Sequence, residues 1–263
     1  MRDTAIPNDV GRPAVNTLTR IFVCLLGASA LAWGGLTLPL FWQEASPRSI
    51  AAQVLQGDSF KLQSLVEQIQ QAEPATHYRF CNPVALHSVF VLRLAILNKA
   101  IEAASKPLIE SSYNPLYESG RARLACTPTD SFVWLTMFWL DAGKRGLNGD
   151  NTDYLRLSYD FGRNEGWIAL WRLRLALLMF ERLPPDLAND ALNDFTNIMS
   201  TGQYYGPTVE MFIDASPLVQ SRIVERLTAV SPTVRQAFAR ILRYQGMEVA
   251  IPGVEQPETR PWR

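Results

Sequence analysis

Between Ile21 and Trp42 the chain reads IFVCLLGASALAWGGLTLPLFW, 22 residues without a formal charge. As an α-helix this run is about 33 Å long, enough to cross a hydrocarbon core of about 30 Å. Trp33 and Trp42 carry amphipathic rings suited to a membrane interface. Pro39 falls near the far end, where a freed backbone carbonyl still finds water. The stretch therefore predicts a single transmembrane helix over residues 21–42. The rival reading is a signal peptide cleaved after Ala32, since Ala30-Leu31-Ala32 is an Ala-x-Ala triplet behind a short apolar core. Against cleavage, the apolar run continues past the triplet and twenty residues precede it. Arg2, Arg12 and Arg20 lie before the run, whereas Arg48 and Lys61 follow at increasing distance. That bias places a polar tail, residues 1–20, in the cytoplasm and the rest of the chain outside it.

Two later apolar runs read differently. Val84 to Ile101 is interrupted by His87, Arg93 and Lys99, and Trp167 to Phe180 contains Arg172 and Arg174. Each arginine would cost about 2.5–3.5 kcal/mol at a bilayer centre, so these are expected to be core helices of a water-facing domain. Nearly half the chain is hydrophobic (48%), enough to bury a core that offsets the entropy of ordering. The 25 basic residues are matched by 25 acidic ones. Without a basic surplus to displace counterions, nucleic acid is not an expected partner.

No stretch sustains period-two alternation, and the fold class is all-α. Helices are expected after a hinge at Ala45-Ser46-Pro47, then over Asp58–Gln71, Pro83–Lys106, Pro115–Ala125, Asp130–Gly143, Thr152–Phe161, Glu165–Leu183 and Asp186–Thr201. Ser216-Pro217 and Ser231-Pro232 each place a capping serine before a proline at the first helical position, and predict the last two helices. Residues 43–251 form the extracytoplasmic domain in this reading. The tail 252–263 holds Pro252, Pro257 and Pro261, with little to bury.

Trp134 and Trp167 lie 33 residues apart, each early in an expected helix. Pro128-Thr129-Asp130-Ser131-Phe132-Val133-Trp134 resembles a tetratricopeptide-repeat junction, with Arg121-Ala122-Arg123-Leu124-Ala125 as the end of a preceding helix and Glu165-Gly166-Trp167 as the next opening. The resemblance covers about residues 114–182. It departs from the family at Phe138, where a small residue is wanted, and in the long connection from Gly143 to Thr152. What it implies is a stack of helical hairpins presenting a surface to protein partners.

Three cysteines are present. Cys24 falls in the apolar run, and an oxidising compartment favours a bridge between Cys81 and Cys126, closing a long loop worth about 4 kcal/mol. The alternative is two separate buried thiols. His77, Cys81 and His87 are the nearest approach to a metal set, but no fourth ligand stands close in sequence, and neither metal nor cofactor is expected. No nucleophile elbow, Ser-x-x-Lys or phosphate loop occurs. Asp141, Asp160, Glu165 and Glu181 surround the tryptophan-rich stretch and are the acidic residues through which a glycan-acting enzyme would work. Helix capping and pairing with arginine are the stronger reading of them.

Arg174 is the singular residue. On a helical wheel it lies with Trp167, Leu170, Trp171 and Leu178 on an apolar face, so it should be a buried ion pair, with Glu181 or Asp141 as partner, or a binding residue. Arg172 points elsewhere and should be solvated. The functional expectation is a membrane-anchored scaffold that holds protein partners in the cell envelope, in a polysaccharide or secretion complex. An envelope glycan enzyme is the alternative. No Asn-x-Ser/Thr acceptor occurs, which fits a bacterial inner membrane better than a glycosylated ectodomain.

Overall fold

A computed structural model describes residues 17–76, 81–202 and 204–255. Every regular element among them is helical. They fall into two compact units, divided between Leu92 and Arg93.

In the first unit, α1 runs without interruption over Thr17–Leu55, and α2 over Leu62–Thr76. The expected hinge at Ala45-Ser46-Pro47 is absent. Proline forfeits one backbone bond but not the helix when neighbouring side chains hold the two sides. Here Ser46 donates to Gln68 of α2 at 2.7 Å, Asn82 donates to Glu44, and the Pro47 ring is buried. Within α1, Thr19–Leu38 has a mean hydropathy of 1.9 and no buried residue in its most apolar window. Its length and composition are those of a membrane anchor or of a signal sequence. A second helix, α3 (Pro83–Glu102), is also long and apolar enough to span, yet more than half of its most apolar window is buried inside the protein. Burial of that extent is what a core helix shows.

The second unit is built from helical hairpins. After a turn in which Ala104 adopts φ 48°, α4 covers Lys106–Cys126. It opens with Lys106-Pro107, nine residues earlier than expected, because the prolines were misassigned. Pro107 occupies a first-turn position, whereas Pro115 is internal, and its carbonyl accepts from Arg93 at 3.1 Å. Then come α5 (Ser131–Arg145), α6 (Gly149–Gly162), α7 (Gly166–Leu178), a 3-10 turn at Phe180–Arg182, α8 (Pro185–Thr201), α9 (Tyr205–Asp214), α10 (Pro217–Arg226) and α11 (Pro232–Tyr244). Helix α9 has no counterpart in the sequence reading. It lacks a capping side chain, and Gly206-Pro207 at its start looks like a loop.

Packing partners repeat along this unit. The hairpins α5/α6, α7/α8 and α9/α10 each pack internally; their first helices touch in the order α5, α7, α9, α11, and their second helices in the order α6, α8, α10. Stacked pairs of this kind are compatible with a helical repeat. Caps fix the openings: Asp130, Ser216 and Ser231 accept from the backbone N–H three residues on, and Asn148 and Asn151 cap each other reciprocally at 3.0 Å. Trp134 stacks on Tyr154 of α6, and its indole donates to Pro128 O at 2.7 Å. Phe138, in the place where a small residue was wanted, is wholly buried. Further along, Phe195, Phe212 and Phe238 from α8, α9 and α11 meet with centroids 5.1–6.4 Å apart, two of the three contacts edge-on, as aromatic quadrupoles prefer.

Candidate functional site

The charge inside the second unit belongs to Arg172, not Arg174. Arg172 is 0% exposed. Its Nε donates to Asp194 Oδ2 at 2.9 Å and its Nη2 to Oδ1 at 3.3 Å, a two-pronged pair with α8. Nη1 donates to Ser158 O at 2.8 Å, with longer bonds reaching Gly162 O. Those carbonyls end α6, where the helix dipole favours a cation. The guanidinium also lies 4.0 Å from the centroid of the Tyr159 ring. One side chain therefore ties α6, α7 and α8 together. Burial pushes the Asp194 carboxyl up to about 6 although Arg172 pulls it down, and burial likewise pushes the Tyr159 phenol well up. With its donors spent on neighbouring helices and no exposed surface, this cluster is a structural clamp.

Arg174 is exposed, and the expectation of a buried pair there is corrected. The wheel grouped Trp167, Trp171, Arg174 and Leu178 correctly but chose the wrong side as core, and Leu170 of the same group packs against the core. Helix α7 is apolar all round: Ile168, Ala169, Arg172, Leu173, Ala176 and Leu177 face inward. Trp167, Trp171, Arg174 and Leu178 form the outward stripe, in which Trp171 is 58% and Leu178 76% exposed. A sequence signal for the true arrangement did exist. In α8 the inward stripe Leu187, Ala191, Phe195, Ile198 also contains Asp194, and an acid at a core position requires a buried cation.

The outward stripe borders a groove of about 600 Å³ between α7 and α9, to whose lining the turn after α7 and the start of α10 also contribute. Arg174 and Leu178 stand on the α7 wall, Glu210 and Asp214 on the α9 wall, with Met179 and Met211 among the apolar lining. Glu210 and Asp214 are four residues apart on one helix, a like-charge spacing that does not stabilise α9. The groove thus offers apolar surface, two methionine side chains and both signs of charge on opposite walls.

The other residues singled out in the sequence are dispersed. Asp141, buried on α5, pairs with Arg145; Glu181 accepts from Ser216 at 3.1 Å; Glu165 stands exposed at the head of α7, and Asp160 is exposed near the end of α6. Cys81 and Cys126 are disulfide-bonded, and Cys24 is free and exposed. His77 lies outside the described residues. Among the described residues no group of three or more His, Cys, Asp or Glu is placed to hold a metal ion. No family model, no curated protein and no solved structure matches this chain.

Proposed function

We propose that the protein is a membrane-anchored scaffold whose helical-hairpin unit binds protein partners outside the cytoplasm, through the outward face of α7 and the adjoining groove. The observation that carries this reading is the exposed stripe Trp167, Trp171, Arg174 and Leu178. Tryptophan and arginine are the residues most enriched where interfaces concentrate their binding energy. A unit that leaves Trp171 and Leu178 largely uncovered on one helix, with Trp167 partly so, carries an unmet apolar surface. The apolar stretch of α1 serves as the anchor, with the arginines before it keeping the N-terminus in the cytoplasm. Disulfide-bonded Cys81 and Cys126 suit the oxidising side of a bacterial inner membrane. The stacked hairpins supply a rigid support, as in other helical repeats that act through their surfaces.

Site-specific photo-crosslinking in native membranes tests this. A photoreactive residue at Leu178 should capture a defined protein band, and one at Glu118 on α4 should not. Equal capture from the two positions, or none from Leu178, would remove the reading.

A further inference from the structure

Resting on that reading, we propose that the α7–α9 face docks a second copy of this chain, giving a two-fold homodimer. The argument is charge complementarity. An interface between identical copies is isologous, so one patch must satisfy itself after a two-fold rotation. This patch has the needed composition: Arg174 beside the exposed Leu178 on one wall, Glu210 and Asp214 on the other, and Glu181 and Arg182 on the turn after α7, whose opposite charges offset each other. Rotating a copy by 180° brings the α7 wall of each against the α9 wall of its partner. Arg174 then meets Asp214 twice, once in each direction, while Trp171 and Leu178 cover apolar lining. A partner of a single charge sign would leave one wall opposed by like charge, which disfavours association.

The contact is small: Trp167, Trp171, Leu178 and the groove lining expose less than the roughly 800 Å² per partner of an ordinary specific interface. Anchoring in one bilayer confines both copies to a plane and raises their effective concentration, so a contact of modest strength suffices.

The test is a charge swap on the full-length protein in detergent and in lipid nanodiscs, with mass read by mass photometry and fold checked by circular dichroism. Wild type should be dimeric. Arg174→Glu and Asp214→Arg, each alone, should weaken the dimer about tenfold or more, because every cross-copy contact becomes repulsive. Mixing the two variants should restore a heterodimer, since both cross-copy contacts become attractive again. Repulsion within one copy is not relieved by mixing, so recovery can only come from contact between copies. A wild type that stays monomeric, single variants that stay dimeric, or a mixture that fails to recover would each overturn the proposal. If Leu178 still captures another protein in membranes in those cases, the scaffold reading survives and only the homodimer falls. If it captures neither another protein nor a second copy, both fall.

Discussion

Replacing Arg172 by methionine removes the charge but keeps an unbranched apolar chain, so the loss reports on the clamp rather than on a cavity. Three interactions disappear together: the pair with Asp194, the donation to the closing carbonyls of α6, and the contact with Tyr159. Removing one partner of a buried ion pair costs about 3–5 kcal/mol, because the other is left buried and uncompensated. For a unit of this size each kcal/mol shifts the melting temperature by about 2–4 °C, so a fall of about 6–20 °C is expected. Thermal denaturation of the full chain, followed by circular dichroism, gives the value. The pH dependence supplies a second readout. The Asp194 carboxyl already sits at about 6, above its ordinary range, because burial outweighs Arg172. A carboxyl raised in the folded state contributes stability at low pH that is lost as pH rises through its folded value. Without Arg172 that carboxyl rises further, so the deficit of Arg172→Met should be larger at pH 8 than at pH 5. The double variant Arg172→Met, Asp194→Leu should recover most of the loss, since a well-packed apolar pair replaces a buried ionic one at little cost. A loss under about 1 kcal/mol, or a deficit that grows on acidification, would refute the clamp.

Gly162→Ala should destabilise by about 1–3 kcal/mol, because the added Cβ would meet Ser131 Oγ at 2.1 Å and Ser131 Cβ at 2.5 Å. Ser131→Gly in the same chain should relieve it, and urea denaturation of the single and double variants decides. Ser216→Ala should cost about 1 kcal/mol through loss of the α10 cap, measurable as a shift in melting temperature. Leu178→Ser, at a position 76% exposed, should leave stability unchanged to within about 0.5 kcal/mol while weakening capture by a photoreactive residue placed at Trp171. A marked loss of stability there would mean that the residue is part of the core.

The apolar run near the N-terminus, the absence of strand patterning and the serine caps at Ser216 and Ser231 are local properties, written in composition and in spacing of a few residues. Composition and local spacing were enough to read them, and most helices in the second unit lie near their expected places. The errors fell where a local signal has two meanings. Proline marks a helix start at Pro107 but sits inside helices at Pro115 and Pro47, and only the neighbours that stabilise the surrounding turns distinguish these cases. Helix α9 carries a Gly-Pro opening without a capping side chain, and its helicity depends on packing Val209 and Phe212 against Phe195 and Phe238. Helix α7 was the decisive case. Its sequence is apolar on every side, so the wheel showed which residues share a face but not which face is inside. Asp194, twenty-two residues away in sequence, decided that by drawing Arg172 inward. The groove between α7 and α9 follows from the same choice. The sequence by itself determined an all-α chain with one membrane-length helix near its start, because those features depend on neighbours along the chain. The tertiary structure alone decided which arginine is buried and which tryptophans are left exposed, because a helix apolar all round takes its inward face from what packs against it.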